Sequence, residues 1–314
     1  MTSASPAWRN GLAPGGPGDF PPDVVVQVKA LACELPAQHG APLAHWTTAD
    51  LAAATRASGL VATISTSTVW RWLHADAIRP WQHRCWIFPR DPDFAGKAGR
   101  ILDLYARGWE GQALRDDEFV LSADEKTSIQ ARVRRHATAP PAPGRPMQVE
   151  HEYTRGGALA YVAAWDVHRA KVFGRCEAKS GIAPFDRLVA QVMATPPYVE
   201  ARRVFWTVDN GSAHRGPRAG ARLQAQHPRL VLVHGPVHAS WLNQIEIYFS
   251  IVQRKVLTPN DFGSLSAVAE RLWAFERYYE TLATPFQWTF TRNDLTKLLQ
   301  QITPERLAVL QSAA

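Results

Sequence analysis

Residues 204–214 read VFWTVDNGSAH. An apolar run rich in β-branched and aromatic residues closes on Asp209 and an Asn-Gly pair, the pattern of a buried strand ending at a turn. The whole strand, ARRVFWTVDN, spans residues 201–210 and carries Asp209 at its C-terminal end. Upstream, EFVLSADEKTSIQ (residues 118–130) reads as a strand that is apolar up to Asp124. GALAYVAAWDV (157–167) and AKVFGRCEA (170–178) read as two more, joined by a turn at His168 and Arg169, and the three form an antiparallel meander. FDRLVAQVMAT (185–195) is an amphipathic helix, a second helix falls within residues 215–226, and RLVLVHG (229–235) is a further strand. A meander followed by alternating strands and helices predicts an α/β domain with a mixed five-stranded sheet flanked by helices.

A single helix is expected from Ala239 to Leu257, with Leu242, Ile245, Phe249 and Val252 on its core side and Glu246 among them. Further helices run through AVAERLWAFERYYETL and RNDLTKLLQQI. In this arrangement Asp124 and Asp209 fall at neighbouring strand positions, and Glu246 approaches from the following helix. Three carboxylates gathered from distant elements suit two Mg²⁺ or Mn²⁺ ions acting on a phosphodiester, because hard cations prefer carboxylate oxygens. Each residue has a plainer reading. Asp209 before Asn-Gly serves as a turn former, Asp124 beside Glu125 and Lys126 as part of a surface ion pair, and Glu246 as a charge on a helix face. Around the triad, Asn210 and His214 follow Asp209; His214 can orient a water or meet a phosphate, and a lone His equally reads as a structural hydrogen-bond donor. Ser240, Trp241 and Asn243 front the Glu246 helix, where a Ser cap leaves backbone N–H groups for an anion, and Trp241 equally reads as plain core. His234 and His238 are separated by Gly235 and Pro236 and cannot share a helix face as zinc ligands do. The chain has no GxxxxGK[ST] segment, so nothing in it supports ATP-driven chemistry.

The N-terminal third is helical by pattern. Val25, Val26, Val28, Leu31 and Ala32 recur at helical spacing, TTADLAAATRASG (47–59) has a Thr cap and a closing Gly59, and ISTSTVWRWLHAD (64–76) opens on Ser65. The last of these helices buries Val69, Trp72 and Leu73 and turns Ser67, Thr68 and Arg71 outward. Helix, tight turn and polar-fronted helix is the helix-turn-helix pattern, in which Ser67, Thr68 and Arg71 meet DNA; a small helical bundle without DNA fits the same periodicity. The Trp-, Arg- and Pro-rich segment that follows, with Arg84, suits a wing or an arm along DNA. The expected organisation is a disordered tail (1–22), a helix-turn-helix module (23–90), a helical connector (91–117), a catalytic domain (118–302) and a C-terminal tail (303–314). Net charge is +7 with a pI near 9.5, which favours a polyanionic partner. The three cysteines are widely spaced and suggest neither a disulfide framework nor a zinc knuckle, so a reducing cytoplasm is expected. No signal-peptide pattern or long apolar run appears.

VLSADEKTSIQ, EHEYTRGGALAYVAAWDV, WTVDNGSAHRG, HASWLNQIEIYFSIVQRKVL and FQWTFTRNDL resemble, in order, the blocks of the DDE transposases of bacterial insertion sequences in the mariner superfamily. The resemblance spans roughly residues 23–302. It implies an RNase H-like core in which Asp124, Asp209 and Glu246 fall on the family's three metal-binding acidic positions. It also implies a helix-turn-helix that reads terminal inverted repeats of double-stranded DNA. The expected chemistry is Mg²⁺-dependent nicking at the element's ends and transfer of the freed 3′-hydroxyl into target DNA, typically at a TA step. Synapsis of two ends calls for a homodimer in the bacterial cytoplasm, at the nucleoid. Family members usually carry another helix-turn-helix ahead of the one seen here, so a truncated or degenerate copy that binds without cutting is the alternative expectation.

Overall fold

The computed structural model describes residues 20–83 and 91–300. The expected tails lie largely outside the described residues, and Arg84 lies outside them altogether. The chain divides into two compact units, Met1–Trp86 and Ile87–Ala314.

The first unit is helical. Helix α1 (Pro22–Ala32) starts on a proline, whose missing N–H costs nothing at that position. Helix α2 (Thr48–Ala57) opens with a capping box: Thr47 Oγ1 accepts from Asp50 N at 3.1 Å, and the Asp50 carboxylate accepts from Thr47 N at 3.1 Å. Helix α3 (Thr66–Ala75) is capped by Ser65, whose hydroxyl accepts from Thr68 N at 3.1 Å. Val28, Trp46, Leu51, Val69 and Leu73 form the small core. Trp72 is half-buried against Phe20 rather than fully buried as the pattern predicts, its ring meeting Phe20 edge-on at 5.2 Å.

The second unit begins with α4 (Phe94–Tyr105) and a two-stranded hairpin, β1 (Gly108–Trp109) and β2 (Gln112–Ala113), which the sequence pattern does not announce. The five-stranded sheet follows, with β3 (Glu118–Val133), β4 (Thr154–Asp166), β5 (Lys171–Glu177), β6 (Arg203–Val208) and β7 (Leu230–His234) in the order β5-β4-β3-β6-β7. The expected meander and mixed sheet are present: β3, β4 and β5 pair antiparallel, while β6 pairs parallel to both β3 and β7. Helices α5 (Ile182–Met193) and α6 (Gly216–Gln226) cover one face; α7 (Ile245–Lys255) and α8 (Leu265–Glu280), with α4, cover the other. Helix α9 (Arg292–Gln300) packs on α4. Because both faces are covered, strand residues are buried whichever way they point: Val120, Tyr161, Trp165 and Phe205 on the α7 side, Leu121, Val162, Ala164 and Trp206 on the other. That is why these strands read as nearly continuous apolar runs.

The expected single helix from Ala239 to Leu257 is broken. A short 3-10 turn (Ser240–Leu242) precedes α7, and between them Asn243 takes an extended backbone at φ −84°, ψ 110°. Periodicity could not show the break, because its cause is a tertiary hydrogen bond from the Asn243 side chain to β3.

Edge strand β5 is covered by carboxylates. Gly174 N donates to Glu276 Oε1 at 3.1 Å and Val172 N to Glu280 Oε1 at 3.3 Å, while Tyr161 Oη donates to Glu276 Oε2 at 3.1 Å. Only glycine fits at position 174, since a Cβ there would stand 2.2 Å from Tyr161 Oη and 2.6 Å from Glu276 Oε2. Burial pushes the Glu276 carboxyl up to about 7 from its ordinary value of 4.5. Between those values the folded chain holds a proton that the unfolded chain has released, so this group's contribution to stability falls as pH rises through that window and is level above it. The expected loss from pH 5 to pH 8 is about 2 kcal/mol. Glu276→Gln keeps the acceptor and removes the titration. Urea unfolding at both pH values checks this: the variant gains relative to the native chain at pH 8 and not at pH 5, whereas parallel pH profiles for the two proteins would exclude the assignment.

Candidate active site

Parallel pairing of β3 with β6 ends at Ser122↔Thr207. Two residues further lie Asp124, still within β3, and Asp209, directly after β6 ends at Val208. Side chains alternate along a strand and matched positions of parallel neighbours face the same way, so both carboxylates emerge side by side on the α7 face. Glu246 sits in the first turn of α7. Its position is set by Ser122, one pleat before Asp124: the Ser122 hydroxyl accepts from Ile245 N at 2.9 Å and donates to Asn243 Oδ1, and Asn243 Nδ2 donates to Ala123 O at 3.0 Å. Tyr105 Oη adds a clamp, donating to Leu242 O at 2.7 Å and accepting from Gln244 N at 3.3 Å.

Asp209 is held from its own turn. Its Oδ1 accepts from Gly211 N at 2.7 Å and lies 3.4 Å from His214 Nε2. A Cβ on residue 211 would come within 2.9 Å of that oxygen and 3.2 Å of the imidazole, so the glycine permits the close approach. His214 is fully buried, tilted against Phe185 at 4.8 Å, and neither ring nitrogen makes a well-formed hydrogen bond. Burial pushes its imidazole down from the ordinary value, against the pull of Asp209, and it stands neutral at pH 7. Asn210 Nδ2 donates to Gly235 O at 2.9 Å, and His234 Nε2 donates to His214 O at 2.6 Å, tying the ends of β6 and β7 together.

Asp124 and Glu246 both feel the Asp209 charge. Burial first, then the charges of Asp209, Glu125 and Glu246, push the Asp124 carboxyl up to about 8. Burial raises the Glu246 carboxyl too; Lys126 opposes that rise and Asp209 adds to it. Glu125, which the sequence reading left as a surface neighbour, belongs to the same acidic cluster: it is pushed up to about 7 by burial and by Asp209, and its Oε1 has no hydrogen-bond partner. Among the described residues no group of three His, Cys, Asp or Glu side chains is gathered closely enough to hold a metal ion as it stands. The donor chemistry nonetheless fits a hard divalent cation. Asp209 raises Asp124, Glu125 and Glu246, and added positive charge would relieve that repulsion.

Ser240 caps no helix through its side chain, contrary to the expected cap, since the turn it opens is too short and α7 starts beyond Asn243. Trp241 packs edge-on against Phe290 at 5.3 Å and belongs to a hydrophobic cluster with Leu242 and Leu295. In the first unit Ser67 and Arg71 are exposed on α3, but Thr68 is not: it is 3% exposed, with Oγ1 held by Ser65 Oγ at 2.8 Å and Arg71 Nη2 at 3.2 Å. The cap that starts α3 draws Thr68 inward. Trp70, 46% exposed and stacked on His74 at 4.7 Å, completes an outward stripe of Ser67, Trp70, Arg71 and His74. Its signal was available as an aromatic residue out of phase with the buried positions.

Residues 120–269 match the family model described as DDE superfamily endonuclease. Among solved structures, the chain resembles the Mos1 mariner paired end complex with Mn at 14% identity and a TM-score of 0.53, covering 87% of this chain and 77% of that one. It resembles a pre-cleavage Mos1 transpososome at 14% identity and a TM-score of 0.51, covering 88% and 77%. The Mos1 Strand Transfer Complex gives 15% identity and a TM-score of 0.50, covering 88% and 76%. Likeness at this level establishes the fold, the RNase H-like mixed sheet with flanking helices. No curated protein matches the chain.

Ser122 and Asn243 form one buried network, so Ser122→Ala and Asn243→Ala are each expected to cost about 1–3 kcal/mol by orphaning a buried partner. The double variant should cost less than the sum by at least about 0.5 kcal/mol. Denaturant unfolding of all four proteins measures this, and strict additivity would mean that the two side chains do not act together.

Proposed function

We propose that this protein is a transposase that binds the terminal inverted repeats of an insertion sequence, cleaves DNA strands there and joins them to target DNA. The observation that carries the reading is the convergence of Asp124 and Asp209 at the end of one parallel strand pair, with Glu246 locked onto the same pleat, inside the segment that matches the DDE superfamily endonuclease model. Likeness in fold to Mos1 complexes described as paired-end, pre-cleavage and strand-transfer supports it.

Asp124, Asp209 and Glu246 would hold Mg²⁺ or Mn²⁺, two ions in our reading, and such ions when bound supply Lewis-acid polarisation and a more acidic water at a phosphodiester. The chain's own residues do the positioning. Gly211 N fixes the Asp209 oxygen beside His214, while Ser122 and Asn243 fix the start of α7 and with it Glu246. The Asp209 charge acting on buried Asp124 and on Glu246 makes the site electrostatically poised for cations, and fixed groups lower the barrier without reorganising. The exposed stripe on α3, with Ser67 and Arg71, is the surface that meets the terminal repeats, in the manner of a recognition helix. Pairing two DNA ends requires at least two copies of the chain.

Two measurements test this. Mn²⁺ at about one hundred times its dissociation constant should stabilise the native protein by about 2.7 kcal/mol in thermal unfolding, and Asp209→Asn should lose that gain. A labelled duplex carrying the element's own terminal repeat should be cut by the native chain with Mg²⁺ or Mn²⁺ and not by Asp209→Ala. Binding of that duplex without cutting by either protein would instead identify a copy that occupies DNA ends without processing them.

A further inference from the structure

Beyond Asp124, β3 leaves regular pairing. Its register with β4 shifts between Lys126 and Ile129 and again between Gln130 and Arg132, and Ser128 takes a positive φ of 58°. Such bulges bend a strand and re-aim its side chains. Here they turn β3 along a cleft of about 870 Å³ lined by Lys126, Gln130, Arg132, Arg134, Tyr153 and Asn260 among others. The cleft starts two residues from Asp124, and Lys126, on its wall, also faces Glu246.

The wall is built. Arg134 is spent on structure, donating from Nε and Nη2 to Asn260 O at 3.2 and 3.0 Å and from Nη1 to Glu150 O. Asn260 in turn takes Arg132 N at 3.1 Å and gives Nδ2 to Gln130 O at 2.7 Å. Glu150, the carboxylate of the cleft, is consumed by Arg135 N, His136 N and His136 Nδ1 at 2.8–2.9 Å. That leaves Arg132. Its guanidinium lies over the Tyr153 ring at 4.7 Å, its Nε is buried without a hydrogen-bond partner, and among the described residues neither Arg132 nor Lys126 has an ion-pair partner. A guanidinium over an aromatic ring with an unspent N–H donor and no ion-pair partner has capacity left for a phosphate.

We propose that this cleft binds unpaired DNA nucleotides, with Arg132 and Lys126 holding successive backbone phosphates of the strand whose scissile bond reaches Asp124. The inference rests on the transposase reading for the identity of that strand. A cleft of this volume has the size of a site that encloses a single small molecule, so it admits about two or three nucleotides of one strand and excludes a duplex. Cations interleaved with an aromatic ring are the chemistry of single-strand grooves.

The test uses the full chain and a fluorescein-labelled oligo(dT) of about 12 nucleotides, the scale of one single-strand site. Arg132→Met keeps the stem on Tyr153 and removes the charge. It should weaken oligo(dT) binding about tenfold and reduce the salt slope by about 0.7, one phosphate on a single strand. Binding of a blunt duplex should change less than about twofold, since α3 carries that contact. Arg132→Lys, which restores the charge, should recover most of the oligo(dT) affinity, and a bromodeoxyuridine-substituted oligonucleotide should photocrosslink to the peptide bearing Tyr153. Oligo(dT) binding unchanged in Arg132→Met, an equal loss in Arg132→Lys, or crosslinks confined to other peptides would overturn the proposal. Arg132-dependent oligo(dT) binding by a chain that cuts no terminal duplex would leave the cleft standing and remove the transposase reading. Normal cutting with Arg132-independent oligo(dT) binding would do the reverse.

Discussion

Everything at the acidic site depends on one pairing, the parallel alignment of β3 with β6. It brings the two chain segments that bear Asp124 and Asp209 to the same height on the same face, although 85 residues separate them in sequence. Parallel neighbours require a crossover between them, and here that crossover includes the antiparallel excursion through β4 and β5 and then α5. The fold thus spends more than a third of the domain on setting one register. A slip of one residue in β3 would turn Asp124 to the α5 face and Glu125 to the α7 face, and would take Ser122 away from Asn243.

That last contact explains why the third carboxylate is well placed despite coming from a helix. Strand registers are discrete, but a helix packed on a sheet can slide and roll. Ser122, donating to one group of the Asn243–Ile245 turn and accepting from another, converts a sliding contact into a fixed one. The interruption of the helix at Asn243 is therefore part of how the site is built, because a continuous helix would have left no side chain free to reach the β3 carbonyl.

The α/β architecture was legible because both sheet faces are buried, which makes strands such as VFWTV and LAYVAAW stand out as apolar runs. Asp124, Asp209 and Glu246 stood out as charges set in or beside those runs. What the sequence did not reveal arises between distant segments. The break before α7 follows from a hydrogen bond across 120 residues, from Asn243 to Ala123, which no local period encodes. Thr68 was read outward from helical phase, whereas its hydroxyl is drawn in by the cap that starts the same helix. The membership of Glu125 in the acidic cluster depends on Asp209, and the cleft beyond it on two register shifts in β3, neither visible in one strand's composition. Among the described residues no helix is long and apolar enough to cross a membrane, as the hydropathy pattern indicates.

The carboxylates of Glu276 and Glu280 on the β5 edge have a consequence for assembly. An open sheet edge is a template onto which another chain can add a strand. With the Gly174 and Val172 N–H groups already taken by acids from α8, an incoming backbone carbonyl finds those two donors occupied. The sheet ends there by chemistry and not by running out of chain.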